Sequence, residues 1–148
     1  MAQTHTRLLY HIVFSTKHRE PLIADAWRPD LHAYIGGIVR NRRGDLIAAG
    51  GIPDHIHLLV RLPADRAVAD AVRDIKSVSS AWRHDSGDTG FGWQNGYGAF
   101  SVSVSMAETV GSYIARQPEH HLKQAFRDEF LDILTRHGVE YDERYLWD

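Results

Sequence analysis

Two histidines stand two residues apart in the segment "PDHIHLLV", at His55 and His57. In an extended segment that spacing turns both imidazoles to one face. Two imidazoles side by side can bind one divalent cation through ring nitrogens. A bare His-x-His also fits two ordinary half-buried sheet histidines. Farther along, "YIARQPEHH" holds Tyr113 and Gln117, four apart and therefore on one face of a helix. A glutamine carbonyl oxygen there can ligate a cation while the tyrosine hydroxyl approaches the same ion. Tyr113 alone equally fits a ring packed on a sheet, and His120 and His121 fit capping or solvent exposure as well as ligation. The chain has no cysteine, so disulfides and thiolate ligands are excluded. A hard oxygen ligand with two imidazoles suits Mg²⁺ or Mn²⁺ better than a structural zinc site.

These residues need elements to bring them together. At 148 residues the chain reads as a single domain spanning 1–148. Residues 7–16 alternate, with Leu8, Tyr10, Ile12 and Phe14 on one face and Leu9, His11, Val13 and Ser15 on the other. They predict a first strand. A helix follows over 24–44, with Trp27, Leu31, Tyr34, Ile35 and Ile38 at helical spacing. Strands are expected at 45–52 and 55–62, joined by a Gly/Pro/Asp turn. In the latter, Ile56, Leu58, Val60 and Leu62 take the core face, and His55, His57, Leu59 and Arg61 the opposite one. A second helix covers 64–85, with Asp65 as a candidate N-cap. A glycine-rich loop carrying Trp93 leads to a fourth strand at 99–105. There the alternation suggests Phe100, Val102 and Val104 facing in and Ser101, Ser103 and Ser105 facing the open side. The tyrosine helix lies near 106–117 and is expected to end at Pro118. A last helix carries Leu122, Phe126, Phe130 and Ile133. The expected architecture is α+β: a ferredoxin-like split β-α-β-β-α-β antiparallel sheet with two additional C-terminal helices.

Taken together, "YHIVFSTKHRE", "GGIPDHIHLLVRLP" and "SYIARQ", in this order and at these separations, resemble the single-tyrosine HUH transposases of small hairpin-ended insertion sequences. "WQNGYGAFSVS" and "VEYDERYLWD" add to the likeness, which spans nearly the whole chain. The resemblance implies Tyr113 as nucleophile and His55, His57 and Gln117 as metal ligands. It implies cleavage of single-stranded DNA near a hairpin, through a 5′-phosphotyrosine link that frees a 3′-OH and is later rejoined. Mg²⁺ or Mn²⁺ is the implied cofactor. A homodimer is implied as well, whose tyrosine helix can act in the partner's site. A different class is a non-catalytic or decayed hairpin-binding module on the same fold.

The net charge of −2 argues against a generic polyanion binder, though local patches matter more than the sum. Lys17 and Arg19 after the first strand, and Arg73 and Lys76 on the second helix, become DNA contacts under the resemblance. No apolar run approaches the ~20 residues of a membrane helix, and the N-terminus lacks a signal-peptide pattern. The expected location is cytoplasmic, nucleoid-associated when bound to DNA.

Overall fold

The computed structural model of the chain describes residues 3–147. Strands β1 (Leu8–Ser15), β2 (Asp45–Ile52), β3 (His55–Leu62) and β4 (Gly98–Val102) form one sheet in the order β2-β3-β1-β4. Every neighbouring pair is antiparallel. Helix α1 (Arg28–Asn41) joins β1 to β2, and α2 (Val68–Asp85) joins β3 to β4. This is the split β-α-β-β-α-β order that the sequence predicts.

Period-two alternation explains the first face of the sheet. Ile12, Phe14, Ile56, Leu58, Val60 and Leu62 are buried there against Leu31 and Ile35 of α1 and Val72 and Ile75 of α2. Each such side chain taken wholly out of water contributes roughly 1.5–3 kcal/mol. Trp27 and Trp82 pack at the rim of this core, ring edge to face. Trp93 is buried too. Its Nε1 donates to Ser79 Oγ at 3.0 Å and its ring meets Phe14 edge-on, so it anchors the glycine-rich loop to α2 and β1.

The second face is roofed by three short helices, α3 (Ala107–Ala115), α4 (Gln117–His120) and α5 (Phe126–Arg136). Two small apolar clusters hold them down. One joins Leu9 and Leu59 to Ile114, and the other joins Val13 and Phe100 to Phe126, Phe130, Ile133 and Leu134. Helix α3 lies directly on β2 because Gly50 has no side chain. A Cβ at Gly50 would lie 1.9 Å from the Ile114 carbonyl oxygen.

Four expectations need correction. Strand β4 stops at Val102, and its parity is reversed: Phe100 and Val102 pack on the second face, while Ala99 meets the first-face core. The cause is register. Phe100 pairs with His11 and Val102 with Leu9, and paired residues in adjacent strands share a face. Asp65 does not cap α2. The N-cap position is Ala67, without a side-chain cap, and Asp65 instead pairs with Arg43 at 2.8 Å. Pro118 begins a helix rather than ending one. Arg116 (φ −98°, ψ 18°) separates α3 from α4, and Pro118 sits in the first turn of α4, where a missing N–H costs nothing. Leu122 precedes α5 and is 86% exposed, outside the stripe expected for it.

Candidate metal and tyrosine site

The second face carries its polar groups between the two apolar clusters. His55 and His57 stand on neighbouring same-face positions of β3, and both are fully buried. Each ring is oriented through Nδ1. His55 Nδ1 lies 2.8 Å from Asp54 Oδ1, and His57 Nδ1 lies 2.8 Å from His11 Nε2 on β1. Both Nε2 atoms therefore point to the same space under the C-terminal helices. Fixing the outer nitrogen sets the tautomer and the ring direction, the usual support for a metal-ligating histidine.

Into that space come groups from α3, α4 and α5. Gln117 is buried, with its Oε1 3.3 Å from His55 Nε2 and 2.9 Å from His121 Nε2. Tyr113 and Gln117 belong to successive helices rather than to one continuous turn, yet both reach the same carboxylate, Glu129 of α5. Tyr113 donates its hydroxyl proton to Glu129 Oε2, and Gln117 Nε2 donates to the same oxygen at 3.1 Å. Glu129 Oε1 lies 2.9 Å from His57 Nε2. His121 is oriented like the other two rings, its Nδ1 lying 2.7 Å from the Gln124 carbonyl oxygen. One ligand atom from each of His55, His57, His121 and Glu129 falls within 4.8 Å of all the others. The donor set fits a divalent cation: imidazole nitrogens, one amide oxygen and one carboxylate.

Electrostatics follow from burial. Burial lowers the His57 imidazole to about 4, against the opposing pull of Glu129. Burial and the neighbouring His57 lower His11 to about 3. Both rings are thus neutral at neutral pH, the form that ligates. Burial also works against a charged His55, but its bonds to Asp54 and Glu129 outweigh it and raise the ring. Burial opposes ionisation of Glu129, yet the three surrounding imidazoles hold it well below the usual carboxylate range. Burial, then the Glu129 contact, push the Tyr113 phenol well above its usual range. The phenol is thereby held protonated.

Two clefts open onto Tyr113. One, of about 580 Å³, is lined by His11, Ser101, Ser103, Thr109 and Arg136. The other, of about 810 Å³, runs past Ser112, Arg116, His120 and Lys123. The four basic residues expected from sequence line neither cleft. Arg19 holds its guanidinium 4.3 Å from the centre of the Trp147 ring. Lys76 donates to the carbonyls of Gln94, Asn95 and Gly96, and burial lowers it to about 8. Arg73 is exposed and pairs with Asp70 at 3.0 Å. Lys17 is exposed at the end of β1.

Glu129 is the residue that sequence reasoning missed. A signal existed: it stands three residues after Phe126 and four before Ile133, a carboxylate within the apolar stripe of α5. The alternation of β1 already puts His11 on the same face as the two histidines, whereas Asp54, in the turn before β3, has no spacing that marks it.

A family model described as "Transposase IS200 like" matches residues 4–117. The transposases for insertion sequence element IS200 of Salmonella typhimurium and Salmonella typhi are each 28% identical over 140 residues, which covers 91% of this chain and 88% of theirs. A solved Deinococcus radiodurans chain assigned as a transposase superposes with a TM-score of 0.62 at 22% identity, over 77% of this chain and 95% of that one. A REP-associated tyrosine transposase bound to a REP hairpin superposes with a TM-score of 0.60 at 18% identity, over 82% of this chain and 74% of that one. At these identities the two structures share the fold with this chain.

Proposed function

The chain belongs to the IS200-like transposase family, and from that premise we propose that it cuts and rejoins single-stranded DNA at hairpin-marked element ends. Tyr113 is the nucleophile, and His55, His57 and Gln117 hold a divalent cation. The observation behind this reading is convergence: a phenol, two imidazoles oriented through their outer nitrogens, and an amide oxygen meet on one face of one sheet. A bound cation would polarise the scissile phosphate and offset the charge that develops there.

The chain's own groups account for the rest. Tyr113 attacks phosphorus, the 3′-oxygen leaves, and the strand's 5′-phosphate stays on the phenolic oxygen. The phenolic proton has Glu129 Oε2 as its nearest acceptor. The phosphotyrosine conserves the bond energy, so a second 3′-OH can reverse the step without a high-energy cofactor. A single strand can run from the Arg136 cleft past Tyr113 into the Arg116 and Lys123 cleft, which places a basic residue on each side of the nucleophile. A hairpin as the marker extends to this chain what one structural relative is described as binding. The reading includes a homodimer, whose tyrosine helix can act in its own chain's site or in the partner's. No helix among the described residues is long and apolar enough to cross a membrane.

The test is adduct formation. With Mn²⁺ and single-stranded DNA bearing the element end, the wild type forms a covalent protein–DNA band and Tyr113→Phe forms none. Equal cleavage by Tyr113→Phe sinks the tyrosine mechanism. Hairpin binding without any adduct would instead support a non-catalytic module.

A further inference from the structure

We propose that Glu129 and His121, brought in by the C-terminal segment, ligate the same divalent cation as His55 and His57, and that this set selects a transition-metal ion such as Mn²⁺ over Mg²⁺. The proposal rests on the metal reading above and extends it beyond residue 117, where the match to the family model ends.

The argument starts from a charge. The Glu129 side chain is only 2% exposed. A buried carboxylate is costly unless it is paired. Among the described residues its ion-pair neighbours are all imidazoles: His57 at 2.9 Å, His120 at 3.1 Å, His121 at 3.3 Å and His55 at 3.6 Å. No lysine or arginine stands among them. A divalent cation at the point they share would balance the carboxylate with the ring nitrogens as its co-ligands.

Direction supports this. Glu129 Oε1 faces His55, His57 and His121, while Oε2 faces the Tyr113 hydroxyl and the Gln117 amide. One oxygen is thus turned to the cation and the other to the nucleophile, so a single carboxylate sets the spacing between them. The three rings present Nε2 inward and have Nδ1 engaged elsewhere, the arrangement of supported ligands. The segment is also docked for the purpose. The Phe126 ring lies flat on His55 with centroids 3.7 Å apart, and Trp147 packs on Phe126 and Phe130. Three imidazoles favour a softer ion than Mg²⁺, which prefers oxygen ligands and retained water. One carboxylate against a dication leaves a net single positive charge, matching one phosphodiester.

Calorimetric titration of the full DNA-free chain with Mn²⁺ and with Mg²⁺ tests this directly. The wild type should bind Mn²⁺ at least about tenfold more tightly than Mg²⁺. Glu129→Gln, which keeps the shape but removes the charge and one acceptor oxygen, and His121→Ala should each weaken Mn²⁺ binding by about tenfold or more. His57→Ala should abolish it. X-ray absorption at the manganese edge of the loaded wild type should count three imidazoles and depends on no variant folding. If Glu129→Gln binds Mn²⁺ like the wild type while His57→Ala does not, the proposal falls and the metal reading stands. Two imidazoles at the edge, or tighter Mg²⁺ than Mn²⁺, also overturn it. If the wild type binds no Mn²⁺, or His57→Ala binds it equally well, the metal reading falls and takes the proposal with it.

Discussion

The two faces of this sheet are built by the same strands and do opposite work. Beneath α1 and α2, the odd-out-even-in alternation of β3 buries Ile56, Leu58, Val60 and Leu62 in one continuous apolar core. One residue over, the same strand presents His55, His57 and Leu59 to α3, α4 and α5. There the apolar packing is broken into two clusters with polar side chains between them: His11, His55, His57, Tyr113, Gln117, His121 and Glu129. The first face supplies stability. The second gives up some packing for a group of ligands whose positions are set by hydrogen bonds. A strand can serve both because its period of two separates the two demands.

The largest effect should come from breaking the first face. Leu58→Ala should cost about 2–5 kcal/mol in denaturant unfolding. Mn²⁺ affinity of the folded fraction should stay unchanged; a parallel loss of affinity would show that the faces are coupled. Gly50→Ala attacks the second face through the backbone. Its methyl group meets the Ile114 carbonyl, so α3 must lift and carry Tyr113 with it. An overpacking cost of about 1–3 kcal/mol is expected, along with a marked drop in adduct yield. Wild-type yield would show that α3 tolerates the shift.

A subtler change leaves packing alone. Asp54→Asn should weaken Mn²⁺ binding by about 10–100-fold, because His55 loses the carboxylate that orients its ring. Titration calorimetry reads the loss, and a thermal melt should move little. The smallest effect should come at the seam. Arg19→Ala removes the guanidinium from the Trp147 ring, worth about 0.5–1 kcal/mol at an exposed site. If Arg19 also meets a phosphate, the salt dependence of DNA binding should fall by about one contact. An unchanged slope would assign Arg19 to the tail alone.

The comparison of faces also shows how far residue order reaches. The bounds of β3, the faces of β1 and β3, and the helix–strand order are visible in the alternation, because each strand's pattern is local. Strand β4 alternates just as cleanly, yet its parity is read the wrong way. Alternation says that two faces differ, and only the pairing of Phe100 with His11 says which is which. Pro118 is similar, since a proline that ends one helix can open the next, and the interruption at Arg116 decides between them.

By itself the sequence determined the strand that carries His55 and His57 on the face opposite the α1–α2 core, the absence of thiolate ligands, and the order of the elements. These follow from residue type and spacing within a few positions. Tertiary structure alone decided that Glu129, 72 residues beyond His57, lies 2.9 Å from it and also accepts the Tyr113 hydroxyl hydrogen bond. The physical reason is that a carboxylate on an amphipathic helix has no local partner to reveal it. Its partners come from β3, α3, α4 and His121 just after α4, and only the packing of Phe126 and Phe130 on the sheet brings them within reach.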